Sequence, residues 1–234
     1  MDASKLPKHI AVIMDGNGKW ALRHHLPKVL GHAEGAKAVD SITEDCRALG
    51  IRALTLYALS TENWKRPKKE INALMRLLYD YLEKKYEKLK KNNIRLNAIG
   101  RIERFPEKVR EKLLWVMQKT SANDGMTLTL ALNYGGRQEI ADAAKTVALK
   151  TKSGDINPEN ITEDFFNRFL YTKGLPEVDL LIRTSGEMRV SNFLLWQISY
   201  AEFYVTKKLW PDFNRAELEK AIIDYQSRNR RYGG

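Results

Sequence analysis

Short runs of β-branched and apolar residues alternate along this chain with longer segments whose apolar residues recur every three or four positions. That change of period specifies βα units around a largely parallel sheet, since successive parallel strands need a helix-length crossover. Strands are expected at 9–15, 53–59, 94–100, 126–134 and 178–183, with a short sixth at 203–206. Most are near-continuous apolar runs, as strands buried on both faces must be. Helices are expected at 33–49, 70–91, 106–120, 137–150, 162–171 and 215–230. The clearest is 70–91, where Leu74, Leu78, Tyr81, Leu82, Lys85 and Leu89 form one stripe and the lysine-rich face is left to solvent.

The fold class that follows is α/β, a mostly parallel central sheet of five or six strands flanked by helices, in one domain over 1–234. There is no internal repeat or low-complexity tract, and 43% hydrophobic residues suffice for a core. Cys46 stands alone, so no internal disulfide forms, and no Cys/His grouping has zinc spacing. No run approaches the length of a membrane span, and 1–8 lacks the apolar stretch of a signal peptide. The expected location is cytoplasmic, or peripheral to the cytoplasmic membrane. With 40 Lys+Arg against 29 Asp+Glu, the net charge of +11 favours polyanionic partners: nucleic acid, anionic lipid or diphosphates.

In such sheets ligands bind beyond the carboxyl ends of the strands, and three polar clusters fall there. The first strand runs into Met14-Asp15-Gly16-Asn17-Gly18-Lys19-Trp20, where backbone N–H groups can meet phosphate and Asp15 can hold Mg²⁺. The same residues also make an ordinary turn. Neither a P-loop nor a dinucleotide fingerprint is present, which removes the usual support for ATP or NAD chemistry. The second strand ends at Ser60-Thr61-Glu62-Asn63-Trp64-Lys65-Arg66, which reads equally as an anion grip or as a capped loop. The fifth leads into Arg183-Thr184-Ser185-Gly186-Glu187-Met188-Arg189-Val190-Ser191-Asn192, two arginines and two serines around a glycine. Three such rims together favour diphosphate binding. Glu202, among aromatics, needs either a metal or an arginine partner. His32 could donate to a phosphate, although an isolated histidine is more often structural, and His24 and His25 read as surface residues.

These segments together resemble the cis-prenyltransferase family, nearly end to end from His9 to Gly234. The resemblance rests on 9–21 (HIAVIMDGNGKWA), Gly31-His32, 54–64 (LTLYALSTENW) and 183–197 (RTSGEMRVSNFLLWQ), in that order. It implies an enzyme that condenses isopentenyl diphosphate in cis onto an allylic diphosphate such as farnesyl diphosphate, with Mg²⁺ as cofactor and a C55-type lipid-carrier precursor as product. It implies that Asp15 is the essential carboxylate at the Mg²⁺-diphosphate and that Gly16, Asn17, Gly18, Lys19, Lys28 and His32 hold the allylic diphosphate, with Trp20 shaping the pocket beside them. Asn63 would take part in proton removal, with Ser60, Thr61, Glu62, Trp64 and Arg66 around the reaction centre. Arg183, Arg189, Val190 and Ser191 would bind isopentenyl diphosphate, and Glu202 a metal. The ending 229–234 resembles the segment that reaches a partner subunit's site, which implies a homodimer, and the basic charge suits an anionic membrane that collects product.

The chain departs from the family at Lys19 and Lys28, usually arginine, and at Ser185, where many members carry glycine. An apolar tunnel is expected from the strand at 126–132, the helix after Ala33 and the helix from Glu70, with Ala36 near its entrance and Met126 near its floor. A nucleic-acid-binding protein rests on the basic stretch 84–95, but no nucleic-acid motif accompanies it, so no nucleic acid is expected as partner. A non-catalytic partner subunit is disfavoured by the retention of Asp15, Asn63, Arg183, Arg189 and Glu202 together.

Overall fold

The computed structural model describes residues 1–228. Six strands form one sheet: β1 (His9–Ile13), β2 (Ala53–Ser60), β3 (Ile94–Ile99), β4 (Met126–Tyr134), β5 (Leu180–Arg183) and β6 (Glu202–Val205). Their order is β3-β4-β2-β1-β5-β6 and every neighbouring pair is parallel. Seven α-helices accompany them among the described residues: α1 (Asn17–Arg23), α2 (Lys28–Leu49), α3 (Lys68–Lys91), α4 (Glu107–Lys119), α5 (Gly136–Lys152), α6 (Glu163–Asn167) and α7 (Arg215–Ser227). The α/β expectation therefore holds, with six strands.

Alternate residues of each strand face opposite sides of the sheet, and the two sides are covered differently. Ile10, Val12, Leu54, Leu56, Leu128 and Ile182 join the large core with Ile42 of α2, Leu82 of α3, Leu113 of α4 and Ile222 of α7. Ala11, Ile13, Ala131 and Leu181 point the other way and meet Phe193, Leu194 and Ile198 from the connection between β5 and β6. Because β1 pairs with β2 on one side and β5 on the other, the chain reverses its direction across the sheet at β1. The crevice beyond the end of β1 is the place such a sheet offers a ligand.

Several boundaries depart from the sequence expectation. Asp15 lies past the end of β1, since the backbone turns at Gly16, whose φ of +107° is left-handed. Asn17–Arg23 is helix rather than loop, so the Asp-Gly-Asn-Gly run is a turn that opens α1. The second helix starts at Lys28, five residues earlier than expected, with Gly31 inside it. A Cβ at Gly31 would stand 2.1 Å from the Asn17 carbonyl oxygen, so this glycine lets α1 and α2 pack backbone to backbone. Conversely α6 stops at Asn167, where the ladder tightens: the N–H groups of Arg168, Phe169 and Leu170 bond three residues back, and the Tyr171 N–H then donates to the Glu139 carboxylate (2.7 Å).

Candidate active site

Asp15 is fixed by the strand beside it. The Thr184 hydroxyl accepts from the Asp15 N–H (2.9 Å) and donates to the Asp15 carbonyl (2.6 Å), which pins the residue to the end of β5. Oδ2 of Asp15 accepts from Arg183 Nη2 at 2.8 Å. That guanidinium also donates from Nη1 to Ser191 Oγ (2.8 Å) and to the Arg189 carbonyl, while its Nε is buried without a partner. A nearly buried cation with an unmet donor, opposite a carboxylate with one oxygen engaged, is a high-field anion and cation site in one place.

The pocket over this pair has a volume of about 490 Å³ and is also lined by Ser60, Glu62, Asn63, Arg66 and Ser191. The ends of β1, β2 and β5, three separate clusters in the sequence, thus converge. Ser60 and Asn63 form a reciprocal cap: the Ser60 side chain accepts from the Asn63 N–H, and Asn63 Oδ1 accepts from the Ser60 N–H (3.1 Å). This leaves the Asn63 amide nitrogen for a ligand. Burial opposes ionisation of Glu62, but donors that include its own backbone and Asn192 outweigh it and hold the carboxyl below its usual range.

A second cavity, apolar and about 120 Å³, lies between α2, α3 and the sheet. Gly35, Ala36 and Val39 line it from α2, Leu74, Leu78 and Tyr81 from α3, and Leu59 and Leu130 from the strands. Ala36 stands where the sequence placed it. Met126 does not: it begins β4 opposite Ile94 and is buried in the core, because the cavity reaches β4 only at Leu130 and Leu132. Asn17 and His32 stand in the cavity wall, and His32 joins it to the polar rim, since Glu70 lies 3.6 Å from His32 Nε2 and accepts from Arg66 Nη1 at 2.8 Å. Burial first, then the Arg66 charge, hold the His32 pKa below its ordinary value, so the ring is neutral at neutral pH.

The remaining expected residues divide. Lys19 Nζ donates to Ser185 Oγ (2.9 Å) and Glu187 (3.2 Å), and Arg189 pairs with the same Glu187 at 2.6 Å. Glu187, which the sequence reading left unassigned, therefore holds two of the expected anion-binding cations at the edge of the site, and they hold its own carboxyl below the usual range. Lys28 is exposed at the start of α2, near enough to His32 to depress its pKa. Gly16 and Gly18 shape the turn into α1, and Val190 packs on the second-face cluster. Trp20 donates to Asp212 (2.8 Å) and stacks on His24. Trp64 is turned from the pocket: its Nε1 donates to Asn133 (2.7 Å) and its ring packs on Phe105, so it braces β2 against β4. Thr61 donates to Glu62. Ser185 has φ +75°, the left-handed conformation glycine adopts without strain.

Glu202 is not brought to Asp15. It begins β6 in register with Leu180, at the opposite end of the sheet, and pairs with Arg228 at 2.7 Å. Thr184, Asn192 and Glu70 are further site residues that carried no sequence signal beyond lying inside or beside the quoted motifs.

Residues 13–233 match the family model described as "Putative undecaprenyl diphosphate synthase". An isoprenyl transferase of Clostridium perfringens is 53% identical over 230 residues, 98% of this chain and 91% of that protein. The chain belongs to this prenyltransferase family. A ditrans,polycis-undecaprenyl-diphosphate synthase, farnesyl-diphosphate specific, of Micrococcus luteus is 48% identical over 100% of this chain and 92% of its own length. Among solved structures, lavandulyl diphosphate synthase from Lavandula x intermedia with dimethylallyl diphosphate superposes with a TM-score of 0.96 at 38% identity, covering 99% of this chain and 100% of that one. A probable undecaprenyl diphosphate synthase from Campylobacter jejuni gives 0.80 at 39% identity, covering 97% and 99%.

Lys28 stands where the resemblance implies an arginine that would hold an allylic diphosphate. A lysine offers a point charge where an arginine offers a two-pronged donor. Lys28→Arg is expected to lower the KM for the allylic diphosphate several-fold with kcat little changed; an unchanged or raised KM in steady-state assays would contradict this role.

Proposed function

We propose that this prenyltransferase condenses isopentenyl diphosphate units in cis onto farnesyl diphosphate to give a long-chain polyprenyl diphosphate of the undecaprenyl (C55) class. One observation carries the reading: a polar pocket built on Asp15 and Arg183 adjoins an apolar cavity through His32. An amphiphile with a diphosphate head and a hydrocarbon tail fits that pairing, and the names of close relatives agree with it.

The residues fit a Mg²⁺ ion held with substrate. Asp15 is half-buried, and its Oδ1 makes no hydrogen bond among the described residues. No group of three acidic or metal-ligating side chains accompanies it among those residues. A single carboxylate plus diphosphate oxygens is a usual way to bind Mg²⁺, which keeps several waters. Bound there, the ion would stabilise charge on the departing diphosphate. Gly16, Asn17, Gly18, Lys19, Lys28 and His32 would hold the allylic diphosphate at the α1–α2 side, with its tail in the apolar cavity. Arg183, Arg189 and Ser191 would hold isopentenyl diphosphate, displacing Glu187 from Arg189. As the allylic C–O bond breaks, the isopentenyl double bond attacks the allylic carbon and a proton leaves the adjacent carbon. Asn63 cannot take that proton itself, since an amide is not a base near neutral pH. Its free amide nitrogen instead positions the diphosphate oxygen that does.

The proposed assembly is a homodimer. Tyr200, Phe203 and Val205 expose apolar surface along the edge strand β6, which a second copy would cover. The C-terminal segment 229–234 lies outside the described residues. Product release calls for peripheral contact with the cytoplasmic membrane, because a polyprenyl chain is insoluble in water. Within the basic stretch 84–95, Lys85 and Lys88 pair with Asp40 at 2.9 and 3.0 Å, and Lys88 also pairs with Glu44.

Purified protein with Mg²⁺, farnesyl diphosphate and labelled isopentenyl diphosphate is expected to yield a polyprenol ladder ending near C55 after dephosphorylation, and EDTA to abolish it. Incorporation that survives EDTA would remove the metal, and none with any allylic starter would remove the enzyme.

A further inference from the structure

The last turn of α1, the loop after it and the first turn of α2 form a corner with four leucine or valine side chains in water. Leu22 is 77% exposed, Leu26 39%, Val29 45% and Leu30 45%. Single exposed apolar residues need no explanation, but four within nine positions do. No aspartate or glutamate occurs from Gly16 to Ala33, while Arg23, His24, His25 and Lys28 do; Lys19 is paired with Glu187. The corner is thus apolar and cationic together.

Its position adds a second observation. Val29 also lines a groove of about 440 Å³ between α2 and α3, where Ala33, Ala73 and Leu77 stand beside Glu70, Arg76 and Asp80. That groove shares His32, Leu74 and Leu77 with the apolar cavity. Exposed corner, groove and cavity are therefore continuous. No helix among the described residues is long and apolar enough to cross a membrane, so contact with lipid would be at a surface.

We propose that the α1–α2 corner is a docking face for an anionic lipid bilayer. Leu22, Leu26, Val29 and Leu30 enter the headgroup and acyl boundary, and Arg23 meets lipid phosphates. Docked so, the groove opens at headgroup level, where Glu70, Arg76 and Asp80 stay hydrated, and a finished hydrocarbon tail passes from the cavity into lipid across Leu74 and Leu77. The docking stands on the surface itself; only the use of the groove for release rests on the polyprenyl product proposed above.

The test is cosedimentation with vesicles of equal parts phosphatidylglycerol and phosphatidylcholine, against phosphatidylcholine alone, for wild type and Leu22→Gln/Leu26→Gln. The wild type is expected to bind the anionic vesicles, less at high salt, and the double variant at least about tenfold more weakly. Condensation in detergent is measured alongside and is expected to be equal for both proteins, which shows that the variant is folded. Equal vesicle binding by the two proteins, or none by the wild type, overturns the docking face. Self-association of the wild type without lipid, lost in the variant, would reassign the corner to a second protein copy and likewise overturn it. Normal vesicle binding with no condensation by either protein would defeat the enzymatic reading while leaving the docking face in place.

Discussion

Asp15→Ala is expected to lower turnover by at least about 10²–10³-fold, the scale on which one preorganised charge-stabilising group acts. The Asp15 carboxylate stands at the strand reversal, oriented by Thr184 and paired with Arg183, and no cluster of acids stands by among the described residues. The variant also carries a stability cost, because the guanidinium of Arg183 is 5% exposed and loses its counter-charge. Breaking a fully buried pair costs about 3–5 kcal/mol, but solvent reaches the Asp15 side, so about 1–2 kcal/mol is expected here. Circular dichroism and urea unfolding separate the two effects: near-native spectra, a modestly lower midpoint and no condensation. Asp15→Asn preserves the volume and is expected to fold more stably while remaining equally inactive. Near-normal turnover in either variant would remove Asp15 from the chemistry.

Tyr81→Ala is expected to lengthen the product by several isoprene units. From Leu74 to Tyr81 the cavity follows seven residues of α3, about 10 Å at the helical rise. That depth takes a short allylic tail and is far short of an extended undecaprenyl chain. Tyr81 forms the floor: its hydroxyl is buried beside Thr43 of α2 and has no hydrogen-bond partner, and Leu82, Ile42 and Leu128 fill the core beneath. A side chain held there by packing alone is the part of the wall a growing tail displaces first. Removing the ring should cost about 2–4 kcal/mol of stability, because the space it leaves joins a cavity already present. Tyr81→Phe is the control, since it loses only the unpaired hydroxyl; it should match wild type in product length and be no less stable. Chain-length analysis of the dephosphorylated products decides. An unaltered ladder from the alanine variant would place the length limit elsewhere.

Periodicity carried most of the fold. β4 was legible to the residue because every position of Met126–Tyr134 except Asn133 is apolar or β-branched and the run ends at a glycine pair. The helix from Glu70 was legible because its stripe is unambiguous. What failed did so where tertiary contact overrides local pattern. Asn17–Arg23 has two turn-forming residues at its start and no amphipathic stripe, yet it is helical because Gly31 admits its backbone against α2. The start of α2 was hidden by that same glycine, which in isolation reads as a breaker. At α6 the last turn tightens to bonds three residues back, and beyond it a buried carboxylate distant in the chain, Glu139, takes the Tyr171 N–H.

The site divides in the same way. The sequence by itself determined the chemistry available at each strand end: a carboxylate and glycines after β1, a capped polar turn after β2, paired arginines and serines after β5. Those identities lie in contiguous motifs, and contiguous motifs survive without a fold. Only the tertiary structure decided which of these groups act together, because that depends on strand order. Placing β1 between β2 and β5 brought Asp15, Asn63 and Arg183 to one pocket. The same parallel order carried Glu202 to the far end of the sheet, where Arg228 holds it, and packing turned Trp64 inward to Asn133. Distance in space is set by the sheet, and no local pattern of residues contains it.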